Sequence, residues 1–352
     1  MKKIFCLIFI ILLTALPSYA EDASPYIDGE SEYNENVEKI ITGKMNLNPI
    51  DIIKKGWNML CDEVIKSKSI IADIIIIAAV SGVLNVLQTS FGEGEAKEAA
   101  FFVCFGAVAV AVLNLLHTAV GYGAEVVDEL CSFITKICPV ITILLISSGK
   151  AASASSFYPV LSASIYAVSM IIEHFIIPLV YMSAVLGIVN NISKRVQLTN
   201  LNNLIKSFSK WILTGILTVF TGINAIYGFS VPVLDAVSLK ALKFTVGSVV
   251  PVVGGLVADT VETVLGGAKL MKNAVGTAGI IAVIGICLIP VIKLAVIILM
   301  LKIAAAAVEP ICDKRISDMI SDSAAPITTV FSMVIASGML FIISMAIIIG
   351  AT

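Results

Sequence analysis

Three ionisable residues lie deep inside apolar runs of this sequence: Glu173 and His174 within 159–189, and Lys293 within 277–303. An ionisable group at such depth in a membrane is costly and usually faces a bundle interior or water. The chemistry open to these residues is electrostatic. Glu173 and Lys293 form a candidate buried ion pair, or belong to the lining of an ion-conducting path. A purely structural pair, or a Lys293 that snorkels to the interface, is the plainer alternative.

A second group is conformational. The stretch Phe244–Val275 opens as an apolar run that Pro251 breaks and that Gly254 and Gly255 break again. It continues as an amphipathic segment with Asp259, Glu262, Lys269 and Lys272. A run of about 10–14 apolar residues more often re-enters the bilayer or lies at its surface than crosses it. Proline donates no backbone hydrogen bond, and paired glycines permit close backbone approach. Pro251, Gly254 and Gly255 are therefore the candidate gate or turn. Pro178 and Pro290 lie inside long apolar runs and are the candidate kinks, serving as hinges or as static packing devices.

Other chemistry finds no residues to carry it. No P-loop pattern is present, and no paired-histidine zinc motif. The two histidines and seven cysteines lack metal-ligand spacing, so the cysteines read as small packing residues. The sequence therefore names no catalytic, cofactor-binding or metal-binding residue, and we read the chain as non-enzymatic.

The elements that must position these residues follow from composition. Of 352 residues, 58% are hydrophobic and 14% charged, whereas soluble domains are about 45–50% apolar and about 25% charged. The chain reads as an all-α integral membrane protein, since strands of a membrane barrel would alternate polar and apolar residues. A formal net charge of −2 argues against a nucleic-acid partner. Residues 1–20 read as a signal peptide, with Lys2 and Lys3 before an apolar core and Ser18-Tyr19-Ala20 at the cut. Residues 21–69 read as an extracytoplasmic acidic segment followed by an amphipathic helix that begins after Pro49. The polytopic membrane domain is 70–352, with apolar runs at 70–89, 99–120, 137–148, 159–189, 211–231, 244–258, 277–303 and 325–350.

The basic loop 190–210, with Lys194, Arg195, Lys206 and Lys210, should be cytoplasmic by the positive-inside rule. It lands there only if 137–148 does not cross. The expectation is about six transmembrane helices plus two short re-entrant or interfacial segments, 137–148 and 244–258. Loop 302–324 falls on the same side. The stretch Leu201–Trp211 is basic and amphipathic, suited to anionic membrane lipid or to a cytoplasmic partner.

A parallel internal repeat supports this count. Pro178 follows Pro139 by 39 residues, Pro290 follows Pro251 by 39, and the two pairs are offset by 112. The candidate repeats are 99–195 and 211–307, each a span, a short broken segment and a Pro-containing span.

The segment Gly247–Gly276, with Pro251, Gly254, Gly255, Asp259, Glu262, Gly266 and Gly267, resembles the signature region of the stage III sporulation protein AE family. The resemblance implies a multispanning protein of the mother-cell membrane around the forespore. It implies sister subunits of a stage III sporulation complex, including a cytoplasmic ATPase, and a forespore membrane protein as partners. That complex resembles secretion machinery and forms a channel between the two cells. The family contributes no catalytic residues. The alternative function is a stand-alone secondary transporter with a midplane site formed by broken helices.

Overall fold

The computed structural model describes residues 95–192, 198–249 and 254–350. The signal peptide 1–20, the segment 21–69, the run 70–89 and Pro251 lie outside the described residues. Every described element is helical: α1 (Glu95–Ser147), α2 (Ala151–Ile171), a π-helical turn (Ile172–Ile176), α3 (Ile177–Ile192), α4 (Thr199–Val249), α5 (Gly254–Val308), α6 (Lys314–Asp322) and α7 (Ala324–Gly350). Among the described residues, five segments are long and apolar enough to cross a membrane: Phe101–Ser147, Tyr158–Ile192, Thr199–Ile226, Leu265–Val308 and Lys314–Ile347. The chain is a multi-pass membrane protein on that count.

One expectation is overturned at 137–148. This run is not a separate re-entrant segment but the last turns of α1, which runs unbroken for 53 residues. The polar stretch 121–136 contains no helix breaker beyond two glycines, and buried residues recur through it at spacings of three and four: Val126, Leu130, Phe133, Ile137, Ile141 and Leu145. Pro139 sits inside the helix on its exposed side. It removes one backbone donor, a loss that membrane helices tolerate when nearby groups compensate. The carbonyl it leaves without a helical donor is that of Thr135; the nearby threonine hydroxyls bond other carbonyls, Thr135 that of Cys131 at 2.7 Å and Thr142 that of Cys138 at 2.8 Å.

What ends α1 is Gly149, at φ 79°. The Gly149 N–H donates to the Ile146 carbonyl at 2.9 Å and the Lys150 N–H to the Leu145 carbonyl at 2.9 Å. These are the two bonds of a Schellman cap, which needs a left-handed residue best supplied by glycine. Pro139 and the Pro251 region do not take equivalent places in the described helices. α1 continues eight residues past Pro139, to Ser147, whereas α4 ends at Val249, before Pro251. The second short run, 244–258, is divided between the last turns of α4 and the first turns of α5.

Residues 99–147 therefore count as part of one helical segment long and apolar enough to cross a membrane, Phe101–Ser147, and not as two separate runs. Two ends of the bundle are defined by contacts. At the first end, Asn191 Nδ2 donates to Asp322 Oδ2 at 3.1 Å, joining the α3–α4 turn to the end of α6. There too Arg315 stacks 3.5 Å from the Phe101 ring centroid at the start of α1. At the opposite end, Lys272 Nζ donates to the Ile349 carbonyl at 3.3 Å.

The core is centred on α7, which packs against α1, α3, α4, α5 and α6, most extensively against α5. Glycines set the spacing. A Cβ on Gly279 would touch Met345 Sδ at 3.4 Å, and one on Gly338 would meet Cys287 Sγ at 2.8 Å. Gly123 of α1 faces Val330 and Met333 equally closely. Small residues at such crossings let membrane helices gain van der Waals contact where lipid offers no hydrophobic drive. The register is antiparallel between α5 and α7, and α1 runs parallel to α7.

We predict that Gly123→Leu destabilises the protein by about 1–3 kcal/mol through overpacking. Gly121→Leu, where an added Cβ meets nothing within 4 Å, should be neutral. Thermal unfolding in detergent checks the contrast.

Candidate functional site

The π turn explains itself from Pro178. The proline, in the first turn of α3, has no N–H and crowds the carbonyl four residues earlier. The Ile177 N–H bonds instead to the Ile172 carbonyl, five residues back. Such π turns relieve proline crowding and recur at functional positions. Ile172 and Ile176 are buried, which leaves Glu173, His174 and Phe175 on the exposed side. His174 Nδ1 lies 3.2 Å from the Met170 carbonyl. The kink candidate Pro178 thus produces a local widening of the helix.

Lys293 occupies a different environment. It is half-buried on α5 between buried Ile292 and Leu294. Its Nζ lies 4.6 Å from the centroid of the Tyr122 ring on α1. The expected Glu173–Lys293 pair is not formed: the structure points Glu173 outward and gives Lys293 an aromatic face. A desolvated cation over an aromatic ring gains up to about 2 kcal/mol. Pro290, one turn before Lys293, is buried inside an uninterrupted α5. Gly254 and Gly255 are the first residues of α5, while Pro251 lies outside the described residues.

Groups that sequence reading passed over lie on α1 beside these. Glu129 is within electrostatic reach of Cys287, which faces Gly338 halfway along α7. Glu125 and Asp128 are exposed on the neighbouring outer face. His117 Nδ1 and the Tyr181 hydroxyl are 2.9 Å apart, linking α1 to α3. The signal was present in the sequence as polar residues at spacings of three and four, but it fell between two apolar runs and read as a loop.

The basic amphipathic stretch is the first three turns of α4. Asn202, Ile205 and Ser209 are buried, with Leu201, Leu204, Phe208 and Trp211 exposed beside Lys210. The Ser183 hydroxyl donates to Asn202 Oδ1 at 2.9 Å, fixing α4 on α3. Asn190 Oδ1 accepts from the Leu198 N–H at 2.9 Å and from the Thr199 hydroxyl at 3.1 Å, holding the start of α4.

The profile of the family described as stage III sporulation protein AE matches residues 31–352. The chain belongs to that family. It is similar to the stage III sporulation protein AE of Bacillus subtilis (strain 168), 28% identical over 313 residues, covering 89% of this chain and 78% of that protein. No solved structure matches the chain. Family membership gives the chain a role in sporulation.

For this family member the mid-depth charges test as follows. Lys293→Met and Tyr122→Leu should be non-additive in a double-mutant cycle, with a coupling of about 0.5–2 kcal/mol. Lys293→Met with Glu173→Gln should be additive within about 0.5 kcal/mol. Unfolding midpoints of the purified variants give both numbers.

Proposed function

We propose that this chain is a non-enzymatic membrane subunit of a trans-envelope channel complex joining mother cell and forespore. It resides in the mother-cell membrane that surrounds the forespore. Its partners are sister subunits of the stage III sporulation complex, including a cytoplasmic ATPase, and a forespore membrane protein. One observation carries the reading: the helices are too long for one bilayer. The helical segments Phe101–Ser147 and Leu265–Val308, each containing a stretch apolar enough to span, have 47 and 44 residues. At 1.5 Å per residue they reach about 70 and 66 Å, against a hydrocarbon core of about 30 Å. Fitting them in by tilt alone would need an angle beyond the usual 0–40°. Apolar surface that projects past the bilayer must be covered by protein. A subunit that is one part of a larger assembly meets that requirement, and a solitary transporter does not.

The family supplies the sporulation context, and energy for transport would come from the ATPase partner. Tagged protein isolated from sporulating cells in mild detergent should carry the sister subunits with it. Deleting the gene should abolish late forespore reporter activity. A chain that purifies alone and takes up substrate in liposomes overturns the proposal in favour of a stand-alone transporter.

A further inference from the structure

The π turn leaves an acid and a base side by side on the outside of the bundle. Glu173 and His174 are both exposed, and Glu173 has neither a hydrogen-bond nor an ion-pair partner among the described residues. His174 Nδ1 lies 3.2 Å from the Met170 carbonyl. A carbonyl only accepts, so Nδ1 carries the proton there and Nε2 is left for a further partner.

Cross-links between helices give the depth of this pair. α1 and α2 are joined by the short turn at Gly149 and run antiparallel. His117 of α1 meets Tyr181 of α3, and the Cys131 thiol of α1 is hydrogen-bonded to the Ser169 side chain of α2. Between those two levels, Glu173 lies at about the height of Val126. Gly123, one turn away on α1, faces Val330 and Met333 of α7. α7 has 27 residues, none of them charged. Glu173 and His174 therefore lie close to the mid-height of an uncharged helix, and near the centre of the Tyr158–Ile192 segment.

A carboxyl group facing lipid at that depth is costly, so this side of the bundle calls for a cover that answers it. Ala163, Tyr166, Ala167, Met170, Glu173 and His174 are exposed along one side. Glu173 follows Tyr166, and His174 follows Ala167, by seven residues, with Ala163 and Met170 falling between the two rows. That is the 3.5-residue pattern of a helix seam, and the two alanines leave room for close approach.

The occupant follows from charge. An acid at one position and a base at the next make a face that complements itself. Copies of one chain share an orientation in the membrane, so a twofold axis between them runs along the membrane normal. Such an axis brings equal heights together, and consecutive helix residues differ by only about 1.5 Å in height. It sets Glu173 of each copy against His174 of the other, and an isologous contact makes the pair twice. A different protein needs a matched acid and base of its own at the same heights, whereas a second copy has them by symmetry.

We infer that this chain pairs with a second copy of itself through the Ala163–His174 side of α2 and the π turn, held by two reciprocal Glu173–His174 contacts. The inference does not depend on the sporulation complex, and it stands or falls apart from the proposed function.

The test is cysteine cross-linking of the full chain in membranes of sporulating cells, in a background whose accessible native cysteines are replaced. Ala167→Cys and Met170→Cys lie on the seam, and Val219→Cys, on an exposed apolar position of α4, is the control. A short bifunctional methanethiosulfonate should give a species of twice the chain's mass at both seam positions and none at Val219→Cys. Adding Glu173→Gln to Met170→Cys should lower that fraction several-fold. Two differently tagged chains then separate direct pairing from loss of fold. One carries Glu173→His and the other His174→Glu, so each is mismatched with itself and matched with the other. Co-expressed, they should cross-link to one another several-fold more than either does with itself. Chains that reach the wild-type level in the membrane yet give no seam cross-link overturn the inference. So does a seam cross-link indifferent to all of these charge changes. A Met170→Cys product joined to a different polypeptide assigns the face to another protein and overturns it as well.

Discussion

The structure depends on how closely α7 approaches its neighbours. Between membrane helices there is no hydrophobic drive, so contact area and backbone proximity must hold the bundle together. Glycines supply the proximity at successive levels: Gly276 under Ile349, Gly279 under Met345 and Gly338 against Cys287. Gly123 brings α1 to the same helix. Within α7 the hydroxyls of Thr328, Ser337 and Ser344 donate to carbonyls four residues back, so polar side chains remain satisfied in an apolar setting. This packing fixes the relative heights of α1, α5 and α7. Lys293 meets Tyr122 because of that register.

Much of this was legible in the sequence and some was not. Composition and run length gave the helical membrane class, and Gly247–Gly276 pointed to the family. Hydropathy failed at α1, because a charged stretch between two apolar runs looks like a loop on an averaged scale. Helix continuity obeys a different rule, the pairing of backbone groups, and nothing in 121–136 prevents that pairing. The true stop signal was Gly149, a residue whose left-handed conformation no hydropathy scale registers. Pro139 does not break α1, since a single lost donor is tolerable. The Glu173–Lys293 pair failed because sequence depth says nothing about azimuth. Ile172 and Ile176 take the inner side of the π turn, and Glu173 is left outside.

Sidedness follows from which cations count. The end that holds Asn191, the start of α4 and α6 carries Lys206, Lys210, Lys302, Lys314 and Arg315 among the described residues. The opposite end has basic residues as well: Lys150, Lys269 and Lys272. A bare count therefore separates the ends only weakly. The positive-inside rule, however, concerns charges in short loops and near span ends that meet the cytoplasmic face. Lys272 is 1% exposed and donates to the Ile349 carbonyl in the last turn of α7. A cation there complements the negative end of a helix dipole and occupies a carbonyl with no intrahelical partner. Lys150 is likewise buried, beside the cap that ends α1. These two lysines belong to the architecture of helix ends rather than to a membrane-facing loop. With them set aside, the excess of basic residues among the described ones lies at the end that holds the start of α4 and α6, the end the positive-inside rule would place towards the cytoplasm.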